Sequence, residues 1–383
     1  MRTLRIGRQH FDALDGLRGL AALAVCLYHL FQRIPLYNHL LHHAWLAVDF
    51  FFALSGFVID HAYRERMLKG MGAGRFLLAR AIRLYPMSFV GASLGAVYFL
   101  ASAWNAQDIN MLRAMVGHWL LACLCLPAAL SRHGLPWTDN AFYINGPFWS
   151  LFFEWIASLA FAGFLVKWRV RTLGVAAVVM AAMTTLMAYE GKSSVGFHVT
   201  DMVWGAVRVA YPFLAGILIS RIGPRIKFPQ LPFVALGWLL IAVFAIGSLP
   251  RVIESIYDAV VVLLIFPAIL LSARGAAGGP LSTGVARGLG AISYPLYTIH
   301  YPLSFYCLLV AQQVGFSALA GAITTTVIVV AVAILLTLVF DVPTRRGLTN
   351  RFLRKSAHET NYEPVESFSN LQTTEALDDV KPS

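Results

Sequence analysis

Charge is what this chain has least of. Only 13% of its 383 residues are charged, against 58% hydrophobic, and a soluble domain of this size could not cover its apolar bulk with so little polar surface. That excludes a water-soluble globular protein and leaves a polytopic membrane protein. Cysteine is nearly as scarce. Cys26, Cys123, Cys125 and Cys307 lie in apolar stretches without C-x-x-C or paired metal spacing, so neither a disulfide framework nor a zinc site is indicated. H-E-x-x-H, Walker A and G-x-S-x-G patterns are missing too. No metal is expected, and P-loop chemistry and a hydrolase elbow have no support.

The charge that is present leans one way, to a net +11. Lys and Arg sit mainly in short segments between apolar runs, which marks them as orientation signals and sets nucleic-acid binding aside. Eleven apolar segments stand out, near 14–33, 44–62, 78–101, 112–130, 147–166, 172–189, 201–220, 231–249, 255–273, 289–312 and 318–340. The first begins like a signal peptide, with Arg2, Arg5 and Arg8, but no small-x-small site follows and Arg18 interrupts it. It reads as a retained helix.

Six basic clusters separate these runs: the N-terminus, 64–83, 167–171, 221–227, 274–287 and the stretch from Arg345. All six belong on the cytoplasmic side by the positive-inside rule. Two crossings then fit between successive clusters, except that three candidates lie between the second and third, so one of the three cannot span. The weakest is 112–130, which carries Arg113 and His118 and runs into the turn-rich "SRHGLPWTDNAFYINGP". The expected architecture is all-α: about ten transmembrane helices and one re-entrant or interfacial segment, both termini cytoplasmic, in the inner membrane. One membrane domain over 1–344 precedes a polar tail, 345–383, that reads as disordered.

Polar residues inside apolar helices carry the functional signal, because a charge at a helix centre costs about 2.5–3.5 kcal/mol on insertion scales. In "GLRGLAALAVCLYHL", Arg18 and His29 are 11 residues apart, which returns within about 20° of one helix face at an axial separation of about 16 Å. Both can line one groove across the bilayer. Asp49 in "WLAVDFFFALSGFVI" and Glu154 in "GPFWSLFFEWIASL" fall by estimated depth in the same outer half as His29. Either carboxylate could orient an imidazole acting as general base on a hydroxyl, or could pair with an arginine for assembly. At the inner side Arg80 and Arg83 share a helix face in "RFLLARAIRLYP", as a fork for phosphate oxygens or as headgroup contacts. Arg208 and His300 are also intramembrane, the latter among Tyr294, Tyr297 and Tyr301.

With these residues in order, the sequence resembles the acyltransferase 3 family of integral-membrane O-acyltransferases. The resemblance runs from about 18 to 305. It is carried by "LDGLRGLAALAVCLYH" with its R-x10-H spacing, "AVDFFFALSGFVI", "ARAIRLYP", "PFWSLFFEW", "RVAYPFLAGILI" and "ISYPLYTIHYPL". It implies an acyl-CoA donor, most often acetyl-CoA, used from the cytoplasm, and an acceptor hydroxyl on a sugar, a lipid-linked glycan or a small molecule. It implies that Arg18 and His29 are the essential pair and that Arg80 and Arg83 serve the donor. Trp149, Ser150, Glu154 and His300 belong to the shared core, and Arg208 and Tyr297 are grouped with them as candidate substrate contacts. Trp155 after Glu154 and "TIH" before Pro302 depart from the commoner family pattern. No Ser or Cys with an adjacent base stands out, and direct transfer and an acyl-enzyme both stay open. A transporter is the second reading of the intramembrane charges, though neither an internal repeat nor a matched pair of broken helices is evident.

Overall fold

A computed structural model describes residues 11–105, 109–128, 140–276 and 279–354. Each of the eleven apolar segments is helical, and no strand occurs among the described residues. The helices are α1 (Asp12–Phe31), α2 (Ala47–Leu68), α3 (Ala73–Asn105), α4 (Ile109–Cys123), α5 (Phe148–Gly163), α6 (Val170–Tyr189) and α7 (Met202–Ile222). They continue as α8 (Phe233–Ala245), α9 (Arg251–Val260), α10 (Phe266–Ala273), α11 (Pro280–Gln313), α12 (Ala318–Leu336) and α13 (Val342–Leu348). Six helical stretches among the described residues are long and apolar enough to cross a membrane: Asp12–Phe31, His42–Leu68, Val170–Tyr189, Val199–Arg225, Arg251–Ala273 and Ala318–Leu353. The protein is an integral membrane protein. Helices α3 and α11, at 33 and 34 residues, exceed the roughly 20 residues a bilayer needs, whereas α4 has only 15.

Two of these rods change pitch at a proline. A π-helical turn, Val261–Ile265, joins α9 to α10 just before Pro267, and another, Thr337–Asp341, joins α12 to α13 just before Pro343. Proline has no N–H and its ring crowds the carbonyl four residues back, so the preceding turn widens. At Pro267 that carbonyl belongs to Leu263, and the Tyr211 hydroxyl donates to it at 2.8 Å. The last helical run continues as a π-helical turn to Arg354, where Arg75 donates to the Leu353 carbonyl at 2.8 Å. The boundary expected at 345 therefore falls within a packed helix, and the tail beyond 354 lies outside the described residues. So do 129–139 of the turn-rich loop and the N-terminal arginines.

Water does not drive helices together inside a bilayer, so close packing of small residues and buried polar contacts must do it. Helices α2 and α7 show both. A Cβ on Gly56 would sit 2.1 Å from the Phe213 carbonyl oxygen, and one on Gly216 would sit 2.0 Å from that of Ala53, so only glycine permits the approach. Two buried ion pairs pin the same helices: Asp49 with Arg208 at 2.8 Å and Asp60 with Arg221 at 2.6 Å. Helices α1 and α11 pack similarly, with Gly19 against the Leu289 backbone. Helix α4 lies against α3 through Trp119, whose indole donates to Ser93 at 3.2 Å, and leaves Val116 and Leu120 exposed.

Candidate functional site

Helix α1 presents Arg18 and His29 inward against α11, as a shared face requires. The Arg18 guanidinium donates to Ser293 Oγ at 2.9 Å and to the Gly290 carbonyl at 3.0 Å, and pairs with Asp15 at 2.7 Å. His29 packs on the same neighbour farther along. Its ring stacks on His300 with centroids 5.4 Å apart and meets Tyr301 edge-on at 5.3 Å.

Arg18 opens onto a cavity between α1, α2, α3, α5 and α11. Arg80, Arg83, Glu154, Ser150 and Tyr297 line it too. Arg80 forms an ion pair with Glu154, and Ser55 donates to the same carboxylate oxygen at 2.6 Å. Arg83 forms no ion pair or hydrogen bond among the described residues. Arg18, Arg80 and the sequence-distant Arg345 crowd it, and Asp341 opposes them while pairing with Arg345. Three carboxylates, Asp15, Glu154 and Asp341, thus face four guanidinium groups, and the surplus is Arg83. Phosphate is the ligand such a surplus suits, since guanidinium binds its oxygens bidentately. Arg345 was not singled out as a site residue. Only its place in a basic cluster was visible, because the turn that buries it depends on Pro343.

The expected carboxylate beside His29 is not there. Asp49 is taken by Arg208, each of whose nitrogens donates: Nε and Nη2 to Asp49, Nη1 to the Val195 carbonyl at 3.1 Å, and Nη2 also to that of Trp45 at 3.1 Å. Trp45 and Trp149 sandwich this guanidinium at 5.0 and 4.9 Å. Arg208 is therefore a buried brace between α2 and α7, and Trp149 is part of that brace. Glu154, which the depth estimate put in the outer half with His29, sits at the level of Ser55 and Arg80. The estimate took the start of α5 for a membrane surface. In fact α5 begins inside the bundle: the Asn145 amide donates to the Thr298 carbonyl at 2.8 Å, and Gly146 lies against Tyr301.

A second imidazole takes the carboxylate's place. His300 is fully buried, and its Nδ1 donates to the Tyr297 carbonyl at 2.8 Å, which leaves Nε2 as an acceptor without a hydrogen bond. One turn back, the Tyr297 hydroxyl and Ser150 Oγ are 2.6 Å apart. Tyr297 walls the arginine cavity and also touches the His300 ring at 5.7 Å. The single groove expected to join Arg18 to His29 is thus interrupted by a partition, Tyr297 then His300 then His29, because a bulky ring fills the space between the helices.

A second pocket lies beyond the partition. Tyr28, Trp45, His42, Ser193, Glu254 and Asp258 are among its lining residues. Its lining reaches Trp45, before α2 starts, while the first cavity runs along α2 from Val48 to Ile59. Among the described residues no group of three or more His, Cys, Asp and Glu side chains is arranged to hold a metal ion.

A cavity ringed by arginines and a stacked pair of imidazoles lie within one membrane-embedded helical bundle. The chain belongs to the acyltransferase 3 family: a family model described as an acyltransferase domain matches residues 11–342. It is 35% identical over 185 residues to "Protein 2 in picA locus" of Rhizobium radiobacter, a match covering 45% of this chain and 93% of that protein. It is also 31% identical over 104 residues to the peptidoglycan O-acetyltransferase OatA of Listeria monocytogenes, covering 25% of this chain and 15% of that one. No solved structure matches.

Proposed function

We propose that the protein is an inner-membrane O-acyltransferase that moves an acyl group, acetyl foremost, from acyl-CoA to the hydroxyl of a glycan, a lipid-linked sugar or a small molecule. The observation that carries this reading is the unpaired Arg83 in a cavity already ringed by arginines, with His29 stacked on the buried His300 behind its far wall. Phosphates of the donor bind at Arg83 with Arg18 and Arg80 beside it, and this end faces the cytoplasm, as the positive-inside rule requires of its basic flanks. About ten helices cross the bilayer, with α4 lying along the interface. The thioester arm extends toward Tyr297 and Ser150.

His29 then acts as general base. Its neutral ring takes the proton from the acceptor hydroxyl, the oxygen attacks the thioester carbonyl, and the C–S bond breaks. The imidazolium returns its proton to the departing thiolate, so that free CoA leaves as the thiol. His300, held in one tautomer by the Tyr297 carbonyl, positions the His29 ring from the stacked side, and Arg18 steadies the thioester oxyanion or the donor. No activated serine or cysteine is required, since Ser150 is already committed to Tyr297 and to the Pro147 carbonyl at 3.0 Å.

Mass spectrometry of surface glycans and lipids from cells with the gene, without it, and with His29→Ala tests this. A mass difference of one acetyl group, lost in both the deletion and the mutant, is the expected result. An unchanged acylation pattern in the deletion strain would sink the reading.

A further inference from the structure

Attack on a thioester turns its carbonyl oxygen negative, and a base at His29 fixes where that happens. Arg18 cannot reach the place. Its guanidinium is held at Ser293 and Gly290, whereas His29 packs on His300, and at 1.5 Å per residue these levels of α11 lie about 10–15 Å apart. Another cation is much nearer. We propose that Arg33, one turn beyond His29, is a catalytic residue, the guanidinium that stabilises the tetrahedral oxyanion. The inference rests on the transferase reading above and deepens it, and it leaves Arg18 to the donor.

Residues four apart lie on one helix face, and the chain keeps turning past the end of α1: the Arg33 and Ile34 amides donate to the Leu30 and Phe31 carbonyls at 3.2 and 2.9 Å. The Arg33 side chain therefore lies toward α11 beside His29. Its Cζ is 3.3 Å from the centre of the Phe305 ring and 5.0 Å from that of Tyr301, and it donates to the Tyr301 hydroxyl. Tyr301 is also the ring that His29 meets edge-on at 5.3 Å. Imidazole and guanidinium thus share one aromatic neighbour, and the Arg33 charge acts on both His29 and His300.

One part of Arg33 is unused. It forms no ion pair among the described residues, and its Nη1 is buried without a hydrogen bond. A buried donor left unsatisfied is costly, the more so on a charged group, and an arginine that merely anchored α1 would turn that nitrogen to water or to a carboxylate. The π faces of Phe305 and Tyr301 steady the cation without consuming this N–H. A donor fixed in advance and unpartnered at rest is what a transient anion requires. The reach fits as well. Imidazole to hydroxyl, hydroxyl to carbonyl, and carbonyl oxygen to guanidinium are three contacts of about 3 Å each, a span that a side chain one helical turn away can close.

As the acceptor oxygen bonds to the carbonyl carbon, the C=O π pair moves onto oxygen, which accepts a hydrogen bond from Arg33 Nη1. When the C–S bond breaks, that pair re-forms the carbonyl, the thiolate takes the proton from the His29 imidazolium, and Arg33 is left unchanged.

The test follows label from acetyl-CoA into glycans and lipids of permeabilised cells, whose envelope holds the native acceptor, in a deletion strain carrying the wild-type chain or a variant. Arg33→Ala should lower kcat about 10²–10³-fold, as loss of one oxyanion donor does, with KM for acetyl-CoA unchanged. Arg33→Gln, which keeps the side chain's length, should show the same loss and serves if Arg33→Ala fails to accumulate in the membrane. Arg33→Lys should recover part of the rate. Added guanidinium ion should raise the rate of Arg33→Ala but not of His29→Ala, a rescue that a structural anchor would not show. A kcat for Arg33→Ala within about threefold of wild type, a loss confined to KM, or a loss that neither lysine nor guanidinium relieves overturns the proposal. Comparison of the wild type with the empty deletion strain reads the transferase function separately. Equal labelling of those two removes that reading, whereas wild-type labelling undiminished by the Arg33 variants removes only the role of Arg33.

Discussion

Arg18 and Tyr28 stand ten positions apart on α1, and the cavities they line have opposite chemistry. Around Arg18 guanidinium is in surplus and Arg83 is left over. Around Tyr28 three carboxylates, Glu190, Glu254 and Asp258, face one guanidinium, Arg251, and His42 holds Glu254. On the proposed reading, a ligand rich in negative oxygen belongs in the first cavity rather than the second.

That contrast can be broken most sharply at its centre. His29→Ala should lower transfer about 10²–10⁴-fold, the usual contribution of a general base, with acyl-CoA and acceptor binding unchanged, measured as initial rate with labelled acetyl-CoA. A loss confined to KM would instead make His29 a binding residue. The next largest effect belongs to the brace. Asp49→Ala leaves Arg208 buried and unpaired and should destabilise the protein by about 3–5 kcal/mol, read as a fall in melting temperature in detergent. The double variant Asp49→Ala with Arg208→Met should recover much of that stability and some activity; a stable but inactive double variant would return Asp49 to the chemistry.

At the donor side, Arg83→Ala should raise KM for acyl-CoA about tenfold, equivalent to one charge-assisted hydrogen bond, leave acceptor binding alone, and flatten the dependence of KM on salt. An equal effect on the acceptor would merge the two cavities. The smallest effect is expected from Tyr297→Phe, which removes the hydrogen bond to Ser150, worth about 0.5–1.5 kcal/mol, and keeps the ring. Donor hydrolysis in the absence of acceptor should stay low in this variant; a large increase would show that the hydroxyl, not the ring, seals the wall.

Much of the fold was legible in the sequence because apolar length and basic flanks are one-dimensional signals. Each apolar run is a helix, and Arg18 and His29 do share a face toward α11. Depth was not legible where a helix begins inside the bundle. Glu154 was placed by counting from Phe148, and nothing local shows that Asn145 and Gly146 are already buried against α11. Partner choice was the other hidden quantity. Asp49 and Arg208 are 159 positions apart, so only the packing of α2 on α7 reveals that the carboxylate is spoken for. Arg345 escaped notice as a site residue because the apolar signal stops short of it while the helix does not.

The glycine contact between α2 and α7 has a mechanical consequence. With carbonyl oxygens almost touching the opposing backbone at Gly56 and Gly216, and an ion pair at either side, these rods have no clearance to rock or slide past one another. A machine that swings its halves to carry cargo from one face to the other needs such play. Packing of this kind favours a fixed skeleton, which suits handing over a small chemical group better than ferrying a whole molecule.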